Sequence, residues 1–218
     1  MALPASLKKL QPLIALVVMV VALTVLSDKF LTVANQRNIL LQISVNLCLS
    51  IGMTLVILTG GIDLSVGAIL ALAGAVAAGL LKHGLVLKAF GVVLQFTPFG
   101  AVLAGIGTGL ALGWFNGLVI TRFKLPPFVA TLGMLSIGRG LTMLWTGGFP
   151  ITDLGPRFGF LGAGMCLGVP MPVWISAALV ALFYVISRRT TLGRYIYAVG
   201  GSEKATAFSG INVNRVKL

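Results

Sequence analysis

Residues 43–81 read ISVNLCLSIGMTLVILT, then GGID, then LSVGAILALAGAVAAGLL: apolar runs of 17 and 18 residues on either side of Gly60-Gly61-Ile62-Asp63. Each run reaches the roughly 17–25 residues that about 30 Å of hydrocarbon demands of a membrane-crossing helix. The rest of the chain has the same character. Of 218 residues, 58% are hydrophobic and 9% charged, and the mean hydropathy is +1.07. Soluble domains carry about 25% charged residues. Sixteen Lys and Arg with four acids supply too little polar surface for a water-soluble fold of this length. Lipid is the solvent for most of this chain.

Working outward from that pair, Lys8 and Lys9 precede a run from Leu13 to Leu26, the first span. A basic start and an apolar middle also describe a signal peptide. No small-x-small cleavage site follows, only Ser27, Asp28, Lys29 and Phe30, so an uncleaved helix is expected. Residues 28–42 are mixed and amphipathic. Lys82, His83 and Lys88 mark the polar boundary after Leu81, and the stretch 89–99, interrupted by Gln95 and Pro98, is not counted as a span. The fourth span runs from Gly100 to Thr121 and is closed by Arg122, Lys124 and Pro126-Pro127. A fifth covers Phe128 to Trp145, a looser glycine- and proline-rich segment 147–170, and a sixth Met171 to Ser187. The expected fold is all-α, a polytopic bundle of about six transmembrane helices in a single domain, 1–218.

Gly105, Gly109, Gly113 and Gly117 recur every four residues along the fourth span. On a helix that spacing lines one face and lets a neighbouring backbone approach closely, so all four are expected at a helix contact.

The net charge is +12, but the basic residues flank apolar runs and do not form one stripe, which argues against nucleic acid and for topology signals. With a cytoplasmic N-terminus, the clusters 8–9, 122–124 and 188–217 lie inside and hold ten of the sixteen Lys and Arg. Lys29, Arg37, Lys82, Lys88 and Arg157 lie outside, and Arg139 lies within the fifth span. The positive-inside rule then sets both termini in the cytoplasm. Whether Gly60 to Asp63 reaches that face or breaks a helix within the membrane is left open by spacing.

Few residues could carry chemistry. Cys48, Cys166 and His83 are isolated, without partners at metal-ligand spacing. No nucleophile elbow, zinc-protease helix or phosphate-cradling loop is present, so neither catalysis nor a bound cofactor is expected and any ATP must bind another chain. Asp63 sits at a helix start, where its side chain can cap the third span. Arg139, eleven residues after Phe128, is costly at that depth and implies an internal partner, a water-filled cavity or snorkelling toward an interface. After the sixth span, Ser202 can cap a two-turn helix with Glu203 in its first turn and Gly210 at its end. Such a helix suits docking into a partner's groove, and a connecting loop is equally compatible.

Several segments carry a resemblance. Thr59-Gly60-Gly61-Ile62-Asp63-Leu64-Ser65-Val66-Gly67 resembles the signature of sugar-type permeases of binding-protein-dependent ABC importers. Gly113-Trp114-Phe115-Asn116-Gly117 and Leu125-Pro126-Pro127-Phe128-Val129-Ala130-Thr131-Leu132-Gly133 are similar to the next family segment. Leu167-Gly168-Val169-Pro170, Pro172-Val173-Trp174-Ile175, Thr191 to Gly201 and Ser209 to Asn214 follow in order, and look most like ribose permeases.

The resemblance implies a permease subunit of an ATP-driven importer of ribose-type monosaccharides in a bacterial inner membrane. It would pair with a second permease, bind two ATP-binding subunits in the cytoplasm and receive sugar from a periplasmic binding protein. Within the cytoplasmic segment 188–218, residues 201–210 would be the coupling helix, with Gly201, Ser202, Glu203, Lys204, Ala205, Thr206 and Gly210 at the ATPase. Gly60, Gly61, Asp63, Ser65 and Gly67 would form a motif beside the pathway. Lys204 departs from the family's usual alanine. The family continues past the position of Leu218, so a fragment, a frameshifted product or a split subunit is expected. The rival readings are a non-functional remnant and an ion-gradient-driven secondary transporter.

Overall fold

A computed structural model describes residues 5–87 and 90–218, with side chains from Leu10 onward. Lys88 and the side chains of Lys8 and Lys9, used above as boundary signals, lie outside the described residues. The long elements are α1 (Ala5–Leu26), α2 (Val33–Leu58), α3 (Val66–His83), α4 (Pro98–Phe123) and α5 (Pro127–Thr146). After a short α6 (Pro156–Ala163) come α7 (Met171–Arg189), α8 (Thr191–Gly201), α9 (Glu203–Phe208) and α10 (Val213–Lys217). Two antiparallel ribbons join them: β1 (Leu85–Leu87) with β2 (Val92–Leu94), and β3 (Met165–Cys166) with β4 (Val169–Pro170). Among the described residues α2, α3, α4, α5 and α7 are long and apolar enough to cross a membrane, and α1 adds the apolar stretch Leu10–Leu26. Six apolar runs correspond to six long helices. The protein is a multi-pass helical membrane protein, and helices suit that solvent because each satisfies its own backbone hydrogen bonds.

Several boundaries differ from expectation. The polar residues at 33–42 belong to α2. Thr32 Oγ1 accepts from Asn35 N at 3.4 Å, and the Asn35 and Gln36 amides donate to the Phe30 carbonyl at 2.8 and 2.9 Å. These side chains satisfy the helix entry, so the helix starts ten residues before the apolar run. Pro98 does not interrupt α4 but opens it, at a position whose N–H has no intrahelical partner, while Thr97 Oγ1 accepts from Gly100 N at 3.2 Å. Part of the stretch 89–99 pairs as β2, with Gly91 at φ +63° in the turn.

The core is centred on α3, which lies between α4 and α5 and buries Ala68, Leu72, Ala77, Ala78, Gly79 and Leu80. Its small side chains let backbones approach, the usual basis of helix association in lipid. α2 packs separately against α7 and α8.

The glycine stripe of α4 does not behave as one contact. A Cβ on Gly105 would meet the Ala73 carbonyl at 3.0 Å and the Ala77 Cβ at 3.1 Å, so Gly105 lies tight against α3. Gly109 makes only ordinary contact with Ile69, Gly113 has nothing within 4 Å, and Gly117 lies against the backbone of Lys217 and Leu218. Valine at position 105 is therefore expected to destabilise the fold by about 1–3 kcal/mol through overpacking, while Gly113→Ala leaves it unchanged. Thermal unfolding in detergent checks the pair; equal midpoints would refute the assigned contact.

Candidate functional site

The segment between α2 and α3 is shaped by its glycines. Gly60 adopts φ +76°, its N–H reaching Ile57 O at 2.9 Å, and Gly61 N–H reaches back to Val56 O at 3.0 Å. This paired pattern is a Schellman stop, which uses glycine in the left-handed region and satisfies the last carbonyls of α2. The chain then turns into α3.

Asp63 does not cap α3. The N-cap is Ser65, and Asp63 Oδ1 accepts from both Ser65 N at 2.7 Å and Ser65 Oγ at 2.6 Å, closing a turn before the helix begins. The reason is local: two residues lie between Asp63 and the first helical residue, and a short carboxylate reaches the N–H two positions on. Ser65 is fully buried, and its Oγ also accepts from Asn116 Nδ2 of α4 at 2.9 Å. On α5, Thr131 Oγ1 donates to the Ile62 carbonyl at 3.2 Å and its own Pro127 carbonyl at 2.8 Å. One turn thus ties α3, α4 and α5 together at one level. Among the described residues no buried side-chain nitrogen or oxygen is without a hydrogen-bond partner. Gly67 has open space around it, so nothing there demands a glycine.

Beside this network lies a cavity of about 120 Å³, lined in part by Gly61, Asp63, Gly113, Asn116, Thr131 and Lys217. It is small, and its polar atoms come from the α2–α3 turn and from facing positions of α4 and α5. Asn116, the one amide in α4, was quoted from the sequence only as part of a motif; an amide inside a long apolar run is the signal that could have marked it.

The second region follows α7. Thr190 Oγ1 accepts from Gly193 N at 3.3 Å and starts α8, whose Gly193, Ile196 and Val199 are buried. This helix was missed in the sequence, although buried positions three apart along 193–199 carry the helical period. Two glycines set its seat. A Cβ at Gly193 would stand 2.2 Å from Ser187 O, and one at Gly200 only 1.9 Å from Leu58 O, at the end of α2. Ser202 Oγ then accepts from Ala205 N at 3.3 Å to cap α9, and Gly210 at φ +81° ends that segment. The predicted cap and stop correspond, but Gly201 closes α8 and does not open α9. In α9 Thr206 is buried while Lys204 and Phe208 are exposed, Phe208 at 91%. Glu203 pairs with Lys217 of α10. The sequence had not marked Phe208 as an outward-facing group.

Arg139 lies on an exposed face of α5, away from both regions. No group of His, Cys, Asp and Glu among the described residues could hold a metal ion.

The family described as branched-chain amino acid transport system / permease component matches residues 35–218. The chain belongs to that family. As a member of this transport-permease family, it is also similar to the ribose import permease protein RbsC of Escherichia coli (strain K12), 44% identical over 218 residues, covering 98% of this chain and 64% of that protein. RbsC of Bacillus subtilis (strain 168) is 42% identical over 214 residues, covering 97% of this chain and 63% of that protein. RbsC of Haemophilus influenzae is 41% identical over 209 residues, covering 94% and 61%. The chain therefore spans a little under two-thirds of the length of these relatives. No solved structure matches it.

Proposed function

We propose that this chain is a membrane-spanning permease component of an ATP-driven importer of ribose-type monosaccharides. The observation that carries the reading is the 44% identity to a ribose import permease along 98% of the chain. The family description names branched-chain amino acids, but the relatives 41–44% identical over 94–98% of this chain are named for ribose, and one 34% identical over 95% is named for another sugar, fructose. In this reading the importer works with a second permease copy, separate ATP-binding subunits and a binding protein that delivers the sugar, in the bacterial inner membrane.

The segment 188–218 is cytoplasmic in this reading, with α9 as the contact to the ATPase. Its capped, glycine-bounded shape and its exposed Lys204 and Phe208 suit a partner's groove. Glu203, paired with Lys217, shapes the surface that α9 presents. The turn at Gly60 to Asp63 stands beside the passage, and its role is to hold α3, α4 and α5 at a common level. The chain contributes a path and no chemistry of its own.

Uptake of labelled ribose by the native host, against a strain lacking this reading frame, tests the proposal. Ribose uptake that depends on ATP should fall to background in the deletion strain, with leucine uptake unchanged. Loss of leucine uptake alone, or unchanged uptake of ribose, would overturn it.

A further inference from the structure

We infer that the face of α5 bearing Arg139 lines a water-filled passage, and that its guanidinium donates hydrogen bonds to the hydroxyls of an uncharged monosaccharide. This rests on the importer reading above and names a residue of the passage.

Arg139 stands twelve residues past Pro127 and seven before Thr146. At 1.5 Å per residue, the nearer end of α5 is about 10 Å away. Helical side chains lean toward the helix N-terminus, which from Arg139 is toward the middle of the span, so the arginine does not snorkel to that end. Lys82, Arg122, Arg188 and Arg189 differ, because each lies in the last turn of its helix. Arginine stays ionised in proteins and carries five donors. Among the described residues the ion pair joins Lys217 and Glu203, and Arg139 has none. Of the four acids, Asp63 is engaged by Ser65 and Glu203 by Lys217, while Asp28 and Asp153 lie outside the long helices.

The neighbours of Arg139 divide α5 into three faces. Thr131, Met134 and Gly138 are buried, with Gly138 close against Ala68 of α3. Ile137 and Leu144 are 52% and 81% exposed; at about 100° per residue they stand about 160° and 140° around the helix from Arg139. Ser136, Arg139, Thr142 and Thr146 follow at spacings of three, three and four on the third face, interleaved with Leu135 and Met143. Thr142 is satisfied by its own helix, donating to Gly138 O at 2.8 Å. The guanidinium has no such internal acceptor. An unpaired charge at this depth, with hydroxyls at Ser136 and Thr142 one turn to either side, belongs against water and not hydrocarbon, and the apolar flank at Ile137 and Leu144 suits lipid. A neutral polyol offers several acceptors to a fork of donors without introducing a charge.

Cysteine labelling in the intact transporter, in its own membrane, tests this. Cys48 and Cys166 are first replaced by serine, and Arg139→Cys, Ser136→Cys or Leu144→Cys is added. A membrane-impermeant methanethiosulfonate reacts with the thiolate, which forms in water and not in lipid, so positions 139 and 136 should label more than about tenfold faster than 144. Ribose should slow labelling at 136, where Arg139 is retained, and leucine should not. Arg139→Lys should retain ribose uptake and Arg139→Leu should lose it. Labelling at 139 as slow as at 144 overturns the inference, and protection by leucine in place of ribose overturns the sugar assignment. If the cysteine-free parent imports ribose, slow labelling at 139 refutes this inference alone. If that parent imports none, the importer reading falls as well.

Discussion

Gly200→Ala is expected to abolish ribose import, while Gly201→Ala, one residue away, leaves it near the parent level. The added Cβ at position 200 stands 1.9 Å from the Leu58 carbonyl oxygen, whereas one at position 201 meets nothing within 4 Å. The obstacle is backbone, so no rotamer change relieves it. Restoring even 3.0 Å requires α8 and the end of α2 to separate by about 1.1 Å, the difference between 3.0 and 1.9 Å. α8 cannot absorb that shift freely, because Gly193 is held against Ser187 O at its other end and Ile196 and Val199 are buried between. Overpacking of this kind costs about 1–3 kcal/mol when side chains can give, and more when they cannot. In the importer reading the consequence is functional. α9 follows α8 directly, and α2 leads into the turn at Gly60 and Gly61, so the contact at Gly200 joins the ATPase-facing helix to the network around Ser65. Uptake normalised to the amount of chain in the membrane checks the pair. Equal uptake for both variants would show that α8 does not sit on α2 in the way described.

How far the sequence could be read depended on whether the deciding interaction was local. The six long helices follow from run length and hydropathy, because the solvent acts on each segment separately. Caps are local too, and Ser202 with Gly210 is legible for that reason. The start of α2 is the counter-example: Asn35 and Gln36 look like a solvated linker until their amides are seen to serve the Phe30 carbonyl. Contacts between segments are not written in spacing. The four glycines of α4 share one face, but only Gly105 is pressed by α3, and Gly113 opens onto a cavity. Asp63 illustrates the same limit within a single turn. Its place before a helix suggested a cap, and its actual bonds depend on Ser65 being drawn inward by Asn116, 51 residues away.

Ser65→Ala should be the most damaging change in that network. The hydroxyl donates to Asp63 and accepts from Asn116, and it is fully buried. Its loss strands the Asn116 amide, 6% exposed, and removes one of the two bonds held by the Asp63 carboxylate. An unsatisfied buried donor costs about 1–3 kcal/mol, so thermal unfolding in detergent should move to clearly lower temperature. Asn116→Leu removes the stranded donor along with its acceptor's partner, so the double variant should be less destabilised than the two single losses added together. Groups in one hydrogen-bonded network couple by about 0.5–3 kcal/mol, and strict additivity would refute the shared network. Asp63 then separates structure from transport. Asp63→Asn keeps a carbonyl oxygen for Ser65 N and Oγ, whereas Asp63→Ala keeps neither. If the carboxylate acts only through that turn, the asparagine variant holds both stability and import while the alanine variant loses both. An asparagine variant that is fully stable yet imports no sugar would mean that the charge itself is used beside the passage, and would move Asp63 from support of the three spans to the path they enclose.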